Sequence, residues 1–158
     1  MKIRKAVVSD LDKLKALLFE QYVYHRGLQE NIHTSVSADV LVDDDWLEDI
    51  INSTASHIII CAHENELAGL VLFSEEHTDK ASQRYKKWLY IKELIVNERF
   101  RSKGIGSKLM EHVENYAKEK SIECIKLNVL NNNDTAIGFY AKNDFKVKKL
   151  GMWKILQT

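Results

Sequence analysis

Proline is absent from all 158 residues of this chain. Every chain reversal must therefore be made by Gly, Asn, Asp or Ser, whose missing Cβ or short polar side chains permit turn geometry. Cysteine is scarce too: Cys61 and Cys124 are the only two, and each lies in an apolar run. That usage excludes a disulfide-dense secreted scaffold. It reads as buried reduced thiols, so a cytoplasmic setting is expected; the sequence by itself does not separate this from one bridge between the pair. Net charge is missing as well, because 23 basic residues balance 23 acidic ones. No global field draws the protein to nucleic acid or to an anionic membrane, and neither is expected as a partner. No apolar run approaches the roughly 20 residues of a membrane span, and the opening "MKIRKAVVSD" lacks the apolar centre of a signal peptide. No grouping of His, Cys and Asp has metal-ligand spacing, so no metal is expected.

What remains is an ordinary single-domain length, 1–158, with clear periodicities. "KIRKAV" reads as an edge strand. "SDLDKLKALLFEQYVY" reads as an amphipathic helix with Ser9 as its N-cap and Leu11, Leu14, Leu17, Leu18 and Tyr22 on one face. A polar loop follows, and "ADVLVDDDWLEDIINS" is a second helical pattern holding an acidic run. "HIIICAH" and "LAGLVLFSEE", joined by "ENE", form a hairpin. "YKKWLYIKELIV" is apolar at both parities, as in mid-sheet. A helix after Gly106 carries Ile105, Leu109, Val113 and Tyr116 on one face. "IECIKLNVL" is a strand, "DTAIGFYAKN" a short helix, and "DFKVKKL" and "MWKIL" two closing strands or one hairpin. The order predicts an α/β (α+β layered) fold with helices on the faces of a sheet.

The densest chemical signal is "RFRSKGIG", residues 99–106, set between a strand and a helix. A helix N-terminus presents unpaired N–H groups and partial positive charge, and glycine lets an anion approach them. Arg101 and Lys103 add formal charge, and Ser102 and Ser107 add donors. The set suits a pyrophosphate. A dinucleotide fingerprint would need a third glycine where Leu109 stands, and a P-loop would need a longer loop ending in Gly-Lys-Ser/Thr. Taken alone, the two glycines favour a plain strand-to-helix turn.

The wider context separates these readings. "LIVNERFRSKGIGSKLM" resembles the signature of the GNAT superfamily of acyl-CoA-dependent N-acetyltransferases, Gln/Arg-x-x-Gly-x-Gly/Ala opening a helix after a long strand, matched here by Arg101, Gly104 and Gly106. "LNVLNNNDTAIGFYAKNDF" resembles its second signature, matched by Asn133, Ala136, Tyr140 and Phe145. Asp144 departs from the glycine usual in the family before that phenylalanine, which sets a modest strain on the turn. The resemblance implies a central mixed, mostly antiparallel sheet of six or seven strands flanked by about four helices. It implies acetyl-CoA as donor, with CoA as product. The backbone of Arg101, Ser102, Lys103, Gly104, Ile105, Gly106 and Ser107 would wrap the pyrophosphate, Leu94, Ile95 and Val96 would pair with the pantetheine arm, and Asn133 would bind that arm from the other side. Members are often dimers, so a homodimer is compatible, although no stripe in the sequence marks an interface.

Acetyl transfer needs a neutral amine, a polarised carbonyl and a protonated or stabilised leaving thiolate. Tyr140, whose phenol keeps its proton at neutral pH, is the candidate general acid; the competing reading is packing against Phe139 and Phe145. Glu93, a carboxylate interrupting an apolar strand, is the candidate base or amine contact; the competing reading is a structural carboxylate. Plain strand parity puts Glu93 with Ile91 and Ile95, and a bulge would reset that count. Asp43 to Asp45, Glu75 and Glu76 could attract a cationic amine or could simply be solvated. His25 and His33 read as solvated loop residues. The acceptor, a small-molecule or peptide amine, would be chosen by residues 25–45 and 75–85, which match no narrower subfamily. A non-catalytic acyl-CoA-binding or regulatory module is the alternative, and the presence of Asn133 and Tyr140 argues against it.

Overall fold

The computed structural model describes residues 1–29 and 36–156. Backbone contacts divide the chain into two units, Met1–Asn128 and Val129–Thr158.

The first unit is built on a five-stranded sheet in the order β1-β2-β3-β4-β5. Strand β1 (Lys2–Lys5) is an edge, as expected. Strands β2 (Ser56–His63) and β3 (Glu66–His77) form the expected hairpin, and β4 (Lys87–Val96) runs antiparallel to β3. Strand β5 (Ile125–Leu127) is parallel to β4 and pairs only with Leu89, Tyr90 and Ile91. Helix α1 (Leu11–Leu28) is preceded by a 3-10 turn, Val8–Asp10. Ser9 does not cap it. Asp10 does the local work instead: its carboxylate accepts from the Val7 N–H at 2.9 Å and from both guanidinium nitrogens of Arg4 at 2.7 and 2.9 Å. That bidentate pair, chiefly through its hydrogen bonds, holds the Asp10 carboxyl below its ordinary range.

The predicted second helix is two pieces, α2 (Ala38–Leu41) and α3 (Asp44–Asn52). The acidic run explains the break. Asp43 is an N-cap whose side chain accepts from the Asp45 N–H at 3.2 Å, and Asp44 and Asp45 occupy the first turn, where negative charge is favoured. Lys15 of α1 donates to Asp44 at 2.8 Å.

Helices α1 and α3 cover one face of the sheet, where Leu14, Leu17, Leu47, Ile50 and Ile51 meet Ile58, Ile60, Leu70, Leu72 and Ile95. Helix α4 (Ile105–Glu119) packs on the other face through Ile105, Leu109, Met110 and Val113. Gly69 sits under α4, where an added Cβ would lie 2.7 Å from the Ile95 carbonyl oxygen and 3.1 Å from Ile105. Cys61 and Cys124 are free thiols, and burial pushes the Cys61 thiol up. No helix among the described residues is long and apolar enough to cross a membrane.

The second unit holds α5 (Asp134–Lys142), capped by Asn133. Residues 145–156 form no strand, contrary to the expectation from "DFKVKKL" and "MWKIL". Five strands are therefore present among the described residues, not six or seven. Alternation records a capacity to pair, and a strand forms only where a neighbour supplies hydrogen bonds. The same limit shortens "IECIKLNVL" to a three-residue β5.

Candidate active site

A bulge decides which face of β4 carries Glu93. Register places Glu93 opposite Leu72 but Ile91 opposite Phe73, so Lys92 is the extra residue. Glu93 therefore shares the α1/α3 face with Ile95, while Ile91 turns to the α4 face. Plain parity, which grouped all three, is corrected by this one residue.

The same bulge recruits Tyr90. It pairs with Ser74, two residues from Leu72 on β3, and so lies on the Glu93 face although only three positions separate the two. Ser74 Oγ donates to Glu76 Oε1 at 3.1 Å. Burial first, then the Glu76 charge, push the Tyr90 phenol up; a hydrogen bond with Asn128 opposes this, and Glu93 adds to it. Burial alone raises the Glu93 carboxyl to about 7. Glu93 thus stands half-buried on the same face of β4 as Tyr90, whose phenol has Glu76 and Asn128 beside it and whose pairing partner is Ser74. Sequence reading missed Tyr90 and, with it, Ser74 and Asn128, because the place of Tyr90 on the Glu93 face depends on register rather than on spacing.

Glu75 and Glu76 part company. Glu75 faces α4, where Tyr116 Oη donates to its Oε1 at 2.5 Å. His57 Nε2 lies 2.9 Å from the same phenol. With its single proton committed to Glu75, the Tyr116 oxygen accepts from His57, which fixes the Nε2–H tautomer. Burial, aided by Glu75, pushes the Tyr116 phenol far up, and burial with nearby Lys5 lowers His57. The Tyr116 ring also packs edge-on to Phe73, centroids 5.3 Å apart. This network fastens α4 to the sheet.

At the other end of α4, Gly104 is the N-cap with φ +75°, a left-handed conformation that favours glycine, and the space beside it is open. Ser102 is also left-handed, at φ +61°. Arg101 Nε donates to the Val96 carbonyl at 3.3 Å, tying the turn to the end of β4. Lys103 lies over the Phe100 ring at 5.0 Å. Ile105 and Gly106 are buried, so they offer backbone only, whereas Ser107 is exposed. Leu94, Ile95 and Val96 lie beyond the reach of β5, whose pairing stops at Ile91. An open glycine turn at a helix start, with two exposed cations and an unpaired strand edge beside it, fits a pyrophosphate followed by an extended amide-bearing arm.

In the second unit, Asn133 is buried and its side chain accepts from the Ala136 N–H at 3.2 Å, so it shapes the start of α5. Tyr140 packs between Phe139 and Phe145, with centroids 5.5 and 5.6 Å away. Asp144 adopts φ +62°, as a residue in the family's glycine position must. His25 falls in the last turn of α1, and His33 lies outside the described residues, with the rest of 30–35. No group of three or more His, Cys, Asp or Glu able to hold a metal occurs among the described residues.

Comparison with known proteins places these features in a class. Residues 16–145 match the model of the acetyltransferase (GNAT) family. The chain is similar, at 32% identity over 151 residues, to an uncharacterized N-acetyltransferase of Archaeoglobus fulgidus, covering 96% of this chain and 97% of that one. It belongs to the GNAT family of acetyltransferases. Its fold is similar to that of a mutant of the BH1408 protein from Bacillus halodurans, at TM-score 0.92 and 23% identity over 99% of this chain and 100% of that one. It is also similar to an aminoglycoside acetyltransferase from an uncultured soil metagenomic sample, solved with sisomicin, at TM-score 0.70 and 19% identity over 99% and 96% of the two chains.

Proposed function

We propose that the protein transfers the acetyl group of acetyl-CoA to a primary amine by direct transfer in a ternary complex, with a small-molecule amine favoured over a protein amine. The observation that carries this reading is Glu93, a half-buried carboxyl raised to about 7 beside the β4 bulge. A base of that pKa is half ionised at neutral pH and is a stronger proton acceptor than an ordinary carboxylate, so it can receive the amine's proton, directly or through water, as attack proceeds. When bound, acetyl-CoA supplies a thioester whose carbonyl accepts the amine and whose sulfur departs. The chain's own residues do the rest. Backbone N–H groups from Arg101 to Ser107 hold the pyrophosphate, and Leu94, Ile95 and Val96 align the arm along the edge of β4. Asn133 orients the arm. Glu93 accepts the proton that makes the amine nucleophilic. Tyr140 Oη gives a proton to the departing sulfur, which balances the transfer.

The test is CoA-thiol release with a panel of polyamines, aminoglycosides and N-terminal peptides. Thiol release with one amine class, lost in Glu93→Gln, is the expected result. Acetyl-CoA binding without thiol release for any amine would replace the enzyme with a non-catalytic acyl-CoA-binding module.

A further inference from the structure

The α1/α3 face of the sheet does not stay apolar to its end. On β3, Leu72 belongs to the core, and alternation sets Ser74 and Glu76 next on the same side. Their pairing partners on β4 are Tyr90 and Trp88. On β5, Lys126 pairs with Tyr90 and holds its ammonium 3.6 Å from the centroid of the Trp88 ring. From Glu93 towards the start of β4, then, the face carries two aromatic rings flanked by a carboxylate and an ammonium.

Glu76 is the unusual member. It is half-buried, and the buried Ser74 hydroxyl donates to its Oε1 at 3.1 Å. A neutral hydroxyl orients that carboxylate without cancelling its charge. Among the described residues, no cationic group lies within ion-pair distance of it. Taking a carboxylate part-way out of water with no counter-charge costs free energy. The charge is felt next door, where burial first and then Glu76 push the Tyr90 phenol up. A cation brought by a ligand would relieve it. The neighbouring ring shows what kind, because Trp88 already holds an ammonium, that of Lys126, by cation–π attraction.

Spacing sets the length of that ligand. Glu93 pairs with Leu72, and Trp88 pairs with Glu76, four positions further along β3. At about 3.3 Å per residue, the two carboxylates start from backbone positions roughly 13 Å apart on one face. A molecule whose reacting nitrogen lies at Glu93 reaches Glu76 with a second nitrogen only through an extended linker, which passes Tyr90 and Trp88 on the way. We propose that the acceptor carries a second cationic nitrogen, which Glu76 and the Trp88 ring bind while the first is acetylated at Glu93. This assignment rests on the transfer reading above and narrows its small-molecule amine to long diamines and polyamines. Lys126 marks the place of the second cation on Trp88 and yields it to the acceptor.

The experiment compares kcat/KM for CoA-thiol release with the terminal diamines of octane and propane and with octylamine, which has the longer chain and a single cation. The octane diamine should be preferred to each of the other two by about tenfold or more. Glu76→Gln should abolish its preference over octylamine. Lys126→Met, which clears the ring and removes the competing charge, should enlarge it. Equal rates for the octane diamine and octylamine overturn the proposal, and so does a preference that survives Glu76→Gln. A preference for amino acids, whose carboxylate would make Lys126 the anchor, overturns it too. Absence of thiol release with every amine defeats the transfer reading instead, and calorimetry in the presence of CoA then decides the subsite. Tighter binding of the octane diamine than of octylamine, lost in Glu76→Gln, upholds it, and equal affinities overturn it. If Glu76→Gln does not fold, Lys126→Met decides, a larger preference upholding the assignment and an unchanged or smaller one overturning it.

Discussion

Tyr90 and Glu93 share one face of β4 although they stand three positions apart, because Lys92 bulges out of the pairing with β3. An unbulged strand would turn them to opposite faces. The bulge therefore sets the environment of a carboxyl that burial raises to about 7.

A pH dependence follows. If Glu93 is the base, it must be ionised to work. The rate at limiting amine should then fall as pH drops through about 7, losing tenfold per unit below that point. Glu93→Gln should lose that limb and most of the activity together. A pH–rate profile of kcat/KM for both proteins checks this, and an unchanged acid limb in the variant would remove Glu93 from the role.

Stability carries the same signature without any substrate. The Glu93 carboxyl lies above its ordinary value of 4.5, so the folded chain binds its proton more tightly than the unfolded chain does. That contribution is fully present below the ordinary value and is lost as pH rises through about 7. Glu93→Gln should leave stability near pH 4 almost unchanged and raise it near pH 8 by on the order of 2–3 kcal/mol. Denaturant unfolding at the two pH values reads the difference.

Tyr140→Phe tests the acid. The variant keeps the ring that packs between Phe139 and Phe145, so the fold and acetyl-CoA affinity should hold. Turnover should fall by about tenfold or more. Steady-state kinetics beside calorimetry separates the two effects, and undiminished turnover would return Tyr140 to a packing role.

How much of this was legible beforehand differs by residue. The glycine turn before α4 was readable from Gly104 and Gly106 between a strand and a helix, whereas the left-handed φ of Gly104 came only from the structure. The hairpin and the α4 face were equally plain from periodicity. Tyr90 beside Glu93 was not legible, since a bulge is a property of two strands in register and leaves no local mark in either. The break between α2 and α3 was written in Asp43 to Asp45 but resembled a mid-helix charge run. The closing strands were over-read, because residues 145–156 have the pattern of strands and no partner within the five-stranded sheet.

Two backbone substitutions test the turns in opposite directions. Asp144 occupies φ +62°, and Asp144→Gly should stabilise the protein by roughly 0.5–1 kcal/mol by relieving left-handed strain. Gly69→Ala should destabilise it by about 1–3 kcal/mol, because the new Cβ would meet the Ile95 carbonyl at 2.7 Å, a backbone atom that cannot rotate away. Thermal or denaturant unfolding of the two variants checks both signs.

The central claim is that the glycine turn before α4 cradles the pyrophosphate of CoA, and calorimetry with acetyl-CoA, CoA and ATP tests it most directly. The Gly104→Glu variant serves as control: it sets bulk and negative charge in the open space beside the turn and should unfold no earlier than the left-handed penalty of about 1 kcal/mol requires. The account predicts binding of acetyl-CoA and CoA in the micromolar range, none of ATP, and loss of both in the folded variant. Absence of binding to either form of CoA, or undiminished binding by Gly104→Glu, would contradict it.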